Sequence, residues 1–191
     1  LTTPVFTVPH QGGGGSDFDM YLIKYDKNGI FQWATHMSSP TDDREASITV
    51  DVHDQVVVMG RVIGGNTTDI YNAGGVTPVK TLNFPSNSSI VVLKYSADGQ
   101  LVWASYTNQA YAQDGFFTLI KTDSVGNVYI SGAFDTPSIE FYDANGNSTL
   151  SLPQSGSTYN NFLAKYDRNG TPLWAVDFIN TYFNSIGTCL L

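Results

Sequence analysis

Apolar residues in this chain come in short bursts, each closed by Gly, Asn, Asp or Pro. The runs Ile90-Val91-Val92-Leu93-Lys94-Tyr95, Leu101-Val102-Trp103-Ala104-Ser105-Tyr106, Phe116-Phe117-Thr118-Leu119-Ile120 and Val128-Tyr129-Ile130-Ser131 are rich in β-branched and aromatic residues, which suit a pleated strand. No stretch sustains the i, i+3, i+4, i+7 apolar spacing of an amphipathic helix, and 18 Gly and 8 Pro are scattered throughout. Very little helix is therefore expected. Val56-Val57-Val58-Met59 and Val91-Val92-Leu93 are apolar at consecutive positions. Consecutive strand side chains point to opposite faces, so these strands are predicted to be covered on both sides.

The bursts recur with a long period. Lys24-Tyr25-Asp26-Lys27-Asn28-Gly29 followed by Trp33-Ala34 returns as Lys94-Tyr95-Ser96-Ala97-Asp98-Gly99 with Trp103-Ala104, and again as Lys165-Tyr166-Asp167-Arg168-Asn169-Gly170 with Trp174-Ala175. The copies lie 70 and 71 residues apart. Weaker echoes keep the same period: 51–60 matches 123–132, and 70–75 matches 141–146. Asn-Gly and Asp-Gly supply the positive φ of a tight hairpin, so each copy opens on an antiparallel strand pair. The period divides the chain into a last strand and Gly-rich joint (1–15), one repeat (16–86), a second (87–157) and the first part of a third (158–191).

Four-stranded antiparallel sheets stacked in series are the blades of a β-propeller, an architecture that explains two-sided burial and short protected edges. The expected fold is all-β, with about two and a half blades. A 70-residue unit exceeds the usual ~40–50 of common blades. The surplus lies in 70–85 and 139–153, read as an added hairpin or a long outer strand with its own turn. The order Asp17-Phe18-Asp19 through Asn28-Gly29, then Trp33-Ala34, then Asp123-Ser124-Val125-Gly126-Asn127-Val128-Tyr129-Ile130-Ser131-Gly132 in the next unit resembles the bacterial-type β-propeller (SBBP-like) repeat. That resemblance implies secreted, surface or large-virus proteins without a common catalytic motif.

Charge narrows the reading. With 9 Lys+Arg against 17 Asp+Glu the net charge is -8, which disfavours nucleic acid and anionic membranes. No apolar stretch approaches the roughly 20 residues that span a bilayer. Cys189 is the single cysteine, which excludes an internal disulfide framework and reads as a small buried hydrophobe. Leu1-Thr2-Thr3-Pro4 has no leader character and Cys189-Leu190-Leu191 ends on an apolar run, so the chain is expected to be a segment of something longer.

Each candidate for chemistry has a structural competitor. Asp26, Asn28, Asp167 and Asn169 could begin calcium loops, but lack the further acids of such loops and equally suit turns. Thr41-Asp42-Asp43-Arg44-Glu45 could hold a carboxylate pair, yet reads as a solvated loop inside a long 35–46 connection. His10, His36 and His53 fall at unrelated repeat positions and are expected at the surface or at strand ends. Asn66, Asn87, Asn147 and Asn169 head Asn-x-Ser/Thr glycosylation triplets. Tyr25, Trp33, Tyr95, Trp103, Tyr166 and Trp174 recur as a set and are expected in the core. Lys24, Lys94 and Lys165 are expected to snorkel along a blade edge.

The sequence thus predicts a noncatalytic structural or adhesive propeller module of a secreted, cell-surface or particle-surface protein, with no cofactor. Further blades of the same chain, copies of it, or a partner protein are expected to cover its open ends. Two alternatives are a carbohydrate-binding or carbohydrate-active propeller using loop aromatics such as Tyr71, Tyr111 or Tyr142, and a viral capsid or envelope assembly component.

Overall fold

The computed structural model describes residues 18–64, 67–85, 88–109, 119–155 and 160–179. Every regular element among them is a strand: β1 Met20–Tyr25, β2 Phe31–Ser38, β3 Asp42–Val50, β4 Val56–Ile63, β5 Thr67–Ile70, β6 Lys80–Asn83, β7 Ser88–Tyr95, β8 Leu101–Tyr106, β9 Leu119–Thr122, β10 Val128–Phe134, β11 Ser138–Tyr142, β12 Ser148–Pro153, β13 Asn160–Tyr166 and β14 Pro172–Ile179. The three Lys-Tyr hairpins are β1–β2, β7–β8 and β13–β14. Their registers place Lys24 opposite Trp33, Lys94 opposite Trp103 and Lys165 opposite Trp174, so in every copy lysine and tryptophan share one face.

Each hairpin sits in its own antiparallel sheet: a first sheet ordered β1-β2-β5-β6, a middle sheet β3-β4-β7-β8 and a last sheet β14-β13-β10-β9. The middle and last sheets straddle the sequence periods. The middle sheet draws β3 and β4 from one period and β7 and β8 from the next; the last sheet does the same one period later.

The surplus segments are hairpins, the first of the two forms expected, and each seats on the sheet before it in the chain. β5 pairs with β2 through Met37↔Ile70 and Ser38↔Asp69, although β3 and β4 intervene in the chain. The β11–β12 hairpin reaches the outer edge of β8 through a bridge between Thr107 and Phe141. There the Asn108 N–H donates to the Glu140 carbonyl at 3.1 Å, and the Glu140 N–H donates back to the Asn108 side chain at 2.7 Å. Each of these hairpins therefore clasps the sheet that precedes it in the chain and covers the edge of β2 or β8.

Two cores flank the middle sheet. Val58, Val62, Val91, Leu93 and Tyr95 pack toward the first sheet with Met20, Met37 and the clasp residues Ile70, Leu82 and Phe84. Val57, Met59, Val92 and Trp103 pack toward the last sheet with Ile120, Val128, Ile130, Phe162, Tyr166 and the clasp residues Ile139, Phe141 and Leu152. Successive residues of β4 and β7 thus enter opposite cores, the physical reason for their continuous apolar runs. The fold is all-β, with sheets stacked broadside and no closed barrel among the described residues: a partial propeller.

One local expectation is overturned. The 35–46 segment is not a long solvated connection: β2 continues to Ser38 and β3 begins at Asp42, with Asp43 buried.

Candidate functional site

The recurrent residues converge on the joints between sheets. At the joint between first and middle sheets, the indole N–H of Trp33 donates to the Ala97 carbonyl at 3.0 Å. At the next, Trp103 donates to Arg168 at 2.9 Å. The acceptor is in both cases the turn of the following Lys-Tyr hairpin. Gly99 and Gly170 occupy these turns at φ +82, and a Cβ on Gly170 would lie 2.8 Å from the Trp103 ring. Glycine there serves both the backbone and the close approach of the indole.

Hydroxyl and aromatic contacts repeat too. Thr35 donates to the Tyr71 carbonyl and Ser105 to the Tyr142 carbonyl, each at 2.5 Å. The phenol of Tyr95 faces Thr35 and that of Tyr166 faces Ser105; burial raises both phenol pKa values against these contacts. His36 stacks on Tyr71 with ring centroids 4.0 Å apart, and Tyr106 stacks on Tyr142 at 4.4 Å. His36 lies two residues from the end of β2 and is buried, so the surface position expected as one alternative is corrected, because the clasp folds Tyr71 over it. Neither ring nitrogen of His36 has a hydrogen-bond partner. Burial lowers its pKa, with Asp19 acting in the opposite sense.

The lysines are also corrected. Lys94 does not snorkel: its Nζ lies 2.7 Å from the Asp51 carboxylate, with both side chains buried. Burial alone would raise the Asp51 pKa; Lys94 and the N–H groups of His53 and Gln55 reverse this and hold it low. The pair recurs as Lys165 and Asp123 at 3.5 Å, half-exposed. Desolvation opposes, but bonds from Asn127 and Val125 and the Lys165 charge hold Asp123 at about 2. Asp51 and Asp123 were missed as partners although both recur at the period of the lysines. Lys24 has no such carboxylate described and donates instead to the Ala97 carbonyl at 2.7 Å.

Of the six predicted core aromatics, Trp33, Tyr95, Trp103 and Tyr166 are buried. Tyr25 and Trp174 are not. Tyr25 is 56% exposed where Tyr95 is 1%, and Trp174 is 38% exposed where Trp103 is 5%. Both lie on the outer faces of the terminal sheets, where no further described sheet packs. Tyr21 and Ile23 extend the exposed strip beside Tyr25; Val176 and Phe178 extend the one beside Trp174.

The calcium candidates sit in separate turns. Asp26 Oδ1 accepts the N–H groups of Asn28 and Ile30 at 2.8 and 2.9 Å. Asp167 Oδ1 does the same for Asn169 and Thr171 at 2.8 and 2.9 Å. These are Asx turns that account for the aspartates by themselves. Among the described residues no group of three His, Cys, Asp or Glu could hold a metal ion. Asn147 and Asn169 are exposed, with Asn147 Nδ2 at 3.3 Å from the Asp143 carboxylate; Asn66, Asn87, His10, Tyr111 and Cys189 lie outside the described residues. Tyr71 is a core residue rather than a loop platform, and Tyr142 is half-buried. Asp43 accepts the Ser39 N–H at 3.0 Å. Burial raises its pKa to about 7, against the Ser39 hydrogen bonds.

Serial antiparallel sheets, clasped through equivalent hairpins and joined by equivalent tryptophans, define a protein of the β-propeller repeat type. In agreement, the chain is 30% identical over 176 residues to an uncharacterized WD repeat-containing protein of Acanthamoeba polyphaga mimivirus. The alignment covers 83% of this chain and 12% of that protein. No family model matches the chain. The likeness supports a propeller-type repeat in general, and not the bacterial-type repeat in particular.

Proposed function

We propose that the chain is a noncatalytic propeller module of a larger scaffold, secreted or displayed on a cell or particle surface, whose role is structural or adhesive and needs no cofactor. One observation carries this reading: at both internal joints the recurrent Trp, Tyr, Thr/Ser and Lys side chains are taken up by packing between sheets. Residues repeated for chemistry would converge on a cleft. Here they converge on joints, which favours a scaffold that presents turns and outer edges to protein partners.

Surface location is tested by labelling intact cells or particles with an antibody raised against the exposed stretch 145–149. Labelling without permeabilisation supports the reading, and labelling only after disruption overturns it. A glycan-binding role would fall to Trp174 and Tyr129, which meet edge-on at 6.0 Å on an open face. Loss of glycan-array binding in Trp174→Ala, with folding intact, would favour that second reading.

A further inference from the structure

We infer that the first sheet carries a docking slot for a two-stranded β-hairpin whose turn bears an aspartate, supplied by a further repeat of this same kind. The inference rests on the propeller reading and names a partner for one end of it.

Position-by-position equivalence defines the slot. In the middle sheet, β7 pairs on one side with β8 and on the other with β4. In the last sheet, β13 is flanked likewise by β14 and β10. Their counterpart β1 pairs with β2, and no described strand occupies its other edge. An open strand edge is a template for another strand.

The wall beside that edge is apolar and uncovered. Ile120 of β9 is 2% exposed because it packs against the middle sheet, whereas its counterpart Ile48 of β3 is 55% exposed. Val50, two residues on and on the same face, is exposed too. The two strands that would cover them are those that no described residue supplies to the first sheet.

Charge specifies the turn. Lys94 meets Asp51 from the β3–β4 turn, and Lys165 meets Asp123 from the β9–β10 turn. Lys24 stands at the same register position, opposite Trp33, and its carboxylate would come from the turn of the incoming hairpin. Among the described residues, the two hairpins equivalent to the missing one are already engaged, β3–β4 with β7 and β9–β10 with β13. The occupant is therefore a further repeat.

The test uses the full chain and a labelled peptide of its own residues 117–134, which contain the β9–β10 hairpin. Saturable one-to-one binding is expected, weakened about tenfold by Asp123→Asn in the peptide, since a charge-assisted contact is lost. Lys24→Met in the chain should weaken the Asp peptide equally and leave the Asn peptide unchanged. Equal affinity of the two peptides overturns the role of Lys24. Because a free peptide can fail to fold, a second protein carries a copy of residues 42–76 fused ahead of Leu1. Amide exchange in Met20–Tyr25 should slow at least about tenfold, as expected when an open edge becomes paired. Unchanged exchange in the fusion overturns the slot, as does a dimer of the parent chain in which that edge is already protected. None of these outcomes alters where an antibody labels the intact particle, so failure of the slot and failure of the surface reading are separable.

Discussion

Trp103 and Trp174 stand at the same place in successive units, each opposite a lysine on a neighbouring strand. Trp103 is buried under the turn of the next hairpin, with its indole N–H satisfied; Trp174 lies on an outer face and is 38% exposed. Lys94 and Lys165 differ in the same way, one sealed against Asp51 and the other half-open beside Asp123. Equivalent positions, sharing the same Trp-Ala pair, thus yield a core residue or a surface residue according to whether another unit is stacked upon them. Position in the array decides burial, and composition decides only what burial is worth.

The largest effects should come from substitutions that treat the two environments alike. Trp103→Ala is expected to cost about 3–5 kcal/mol, against about 1–2 kcal/mol for the partly exposed Trp174→Ala, read from urea midpoints. Lys94→Met leaves the Asp51 carboxylate buried without its cation and should cost about 3–5 kcal/mol. The same change at Lys165 should leave the midpoint near that of the parent. Comparable losses at both lysines would mean that the last sheet is covered in solution.

Glycine substitutions probe the joint at smaller amplitude. Gly29 and Gly170 share positive φ, but a Cβ on Gly29 meets nothing within 4 Å, whereas one on Gly170 meets the Trp103 ring at 2.8 Å. Gly29→Ala should cost about 1–2 kcal/mol from backbone strain alone. Gly170→Ala should add about 1–3 kcal/mol of overpacking. Thermal melts of both variants give the difference directly.

The remaining effects appear only as pH changes, and they distinguish the first joint from the second. His36 has a lowered pKa in the folded state, so its unfolded form binds protons more readily below about 6.5 and stability falls as pH drops through that value. Tyr106 replaces it at the second joint, and His36→Tyr should remove this acid sensitivity. Asp43 acts in the opposite direction. Its pKa rises from 3.8 to about 7, so the stability it contributes is full below pH 3.8 and is lost as pH climbs toward 7. Asp43→Asn should flatten Tm against pH between about 4 and 7, within the range set by those two values.

The strands and hairpins were legible because their signals are local. Apolar bursts, Asp-Gly and Asn-Gly turns and the strict recurrence of Lys-Tyr and Trp-Ala placed β1–β2, β7–β8 and β13–β14, and consecutive valines announced burial on both faces. What was not legible depends on distant partners. The β5–β6 segment reads as a hairpin, but its seat on β2 rests on two paired positions, Met37↔Ile70 and Ser38↔Asp69, too few to leave a pattern. Lys94 reads as an ordinary amphipathic cation until Asp51 is brought beside it. The available clue was that Asp51 and Asp123 repeat in step with the lysines. His36 looks unremarkable because its counterparts are Tyr106 and Asp177, and only the clasp over it makes it a core residue.

The clasp has a consequence for how such a protein can change in length. The middle and last sheets each borrow strands from two successive periods, and the hairpin that follows β4 or β10 in the chain seats on the sheet before, so removal of one whole period, begun at any phase, rejoins each strand to an equivalent neighbour. Removal of a fraction leaves a hairpin without a host. Recombination between copies can therefore lengthen or shorten the array only in whole steps, as a chain is altered by links and not by lengths of wire.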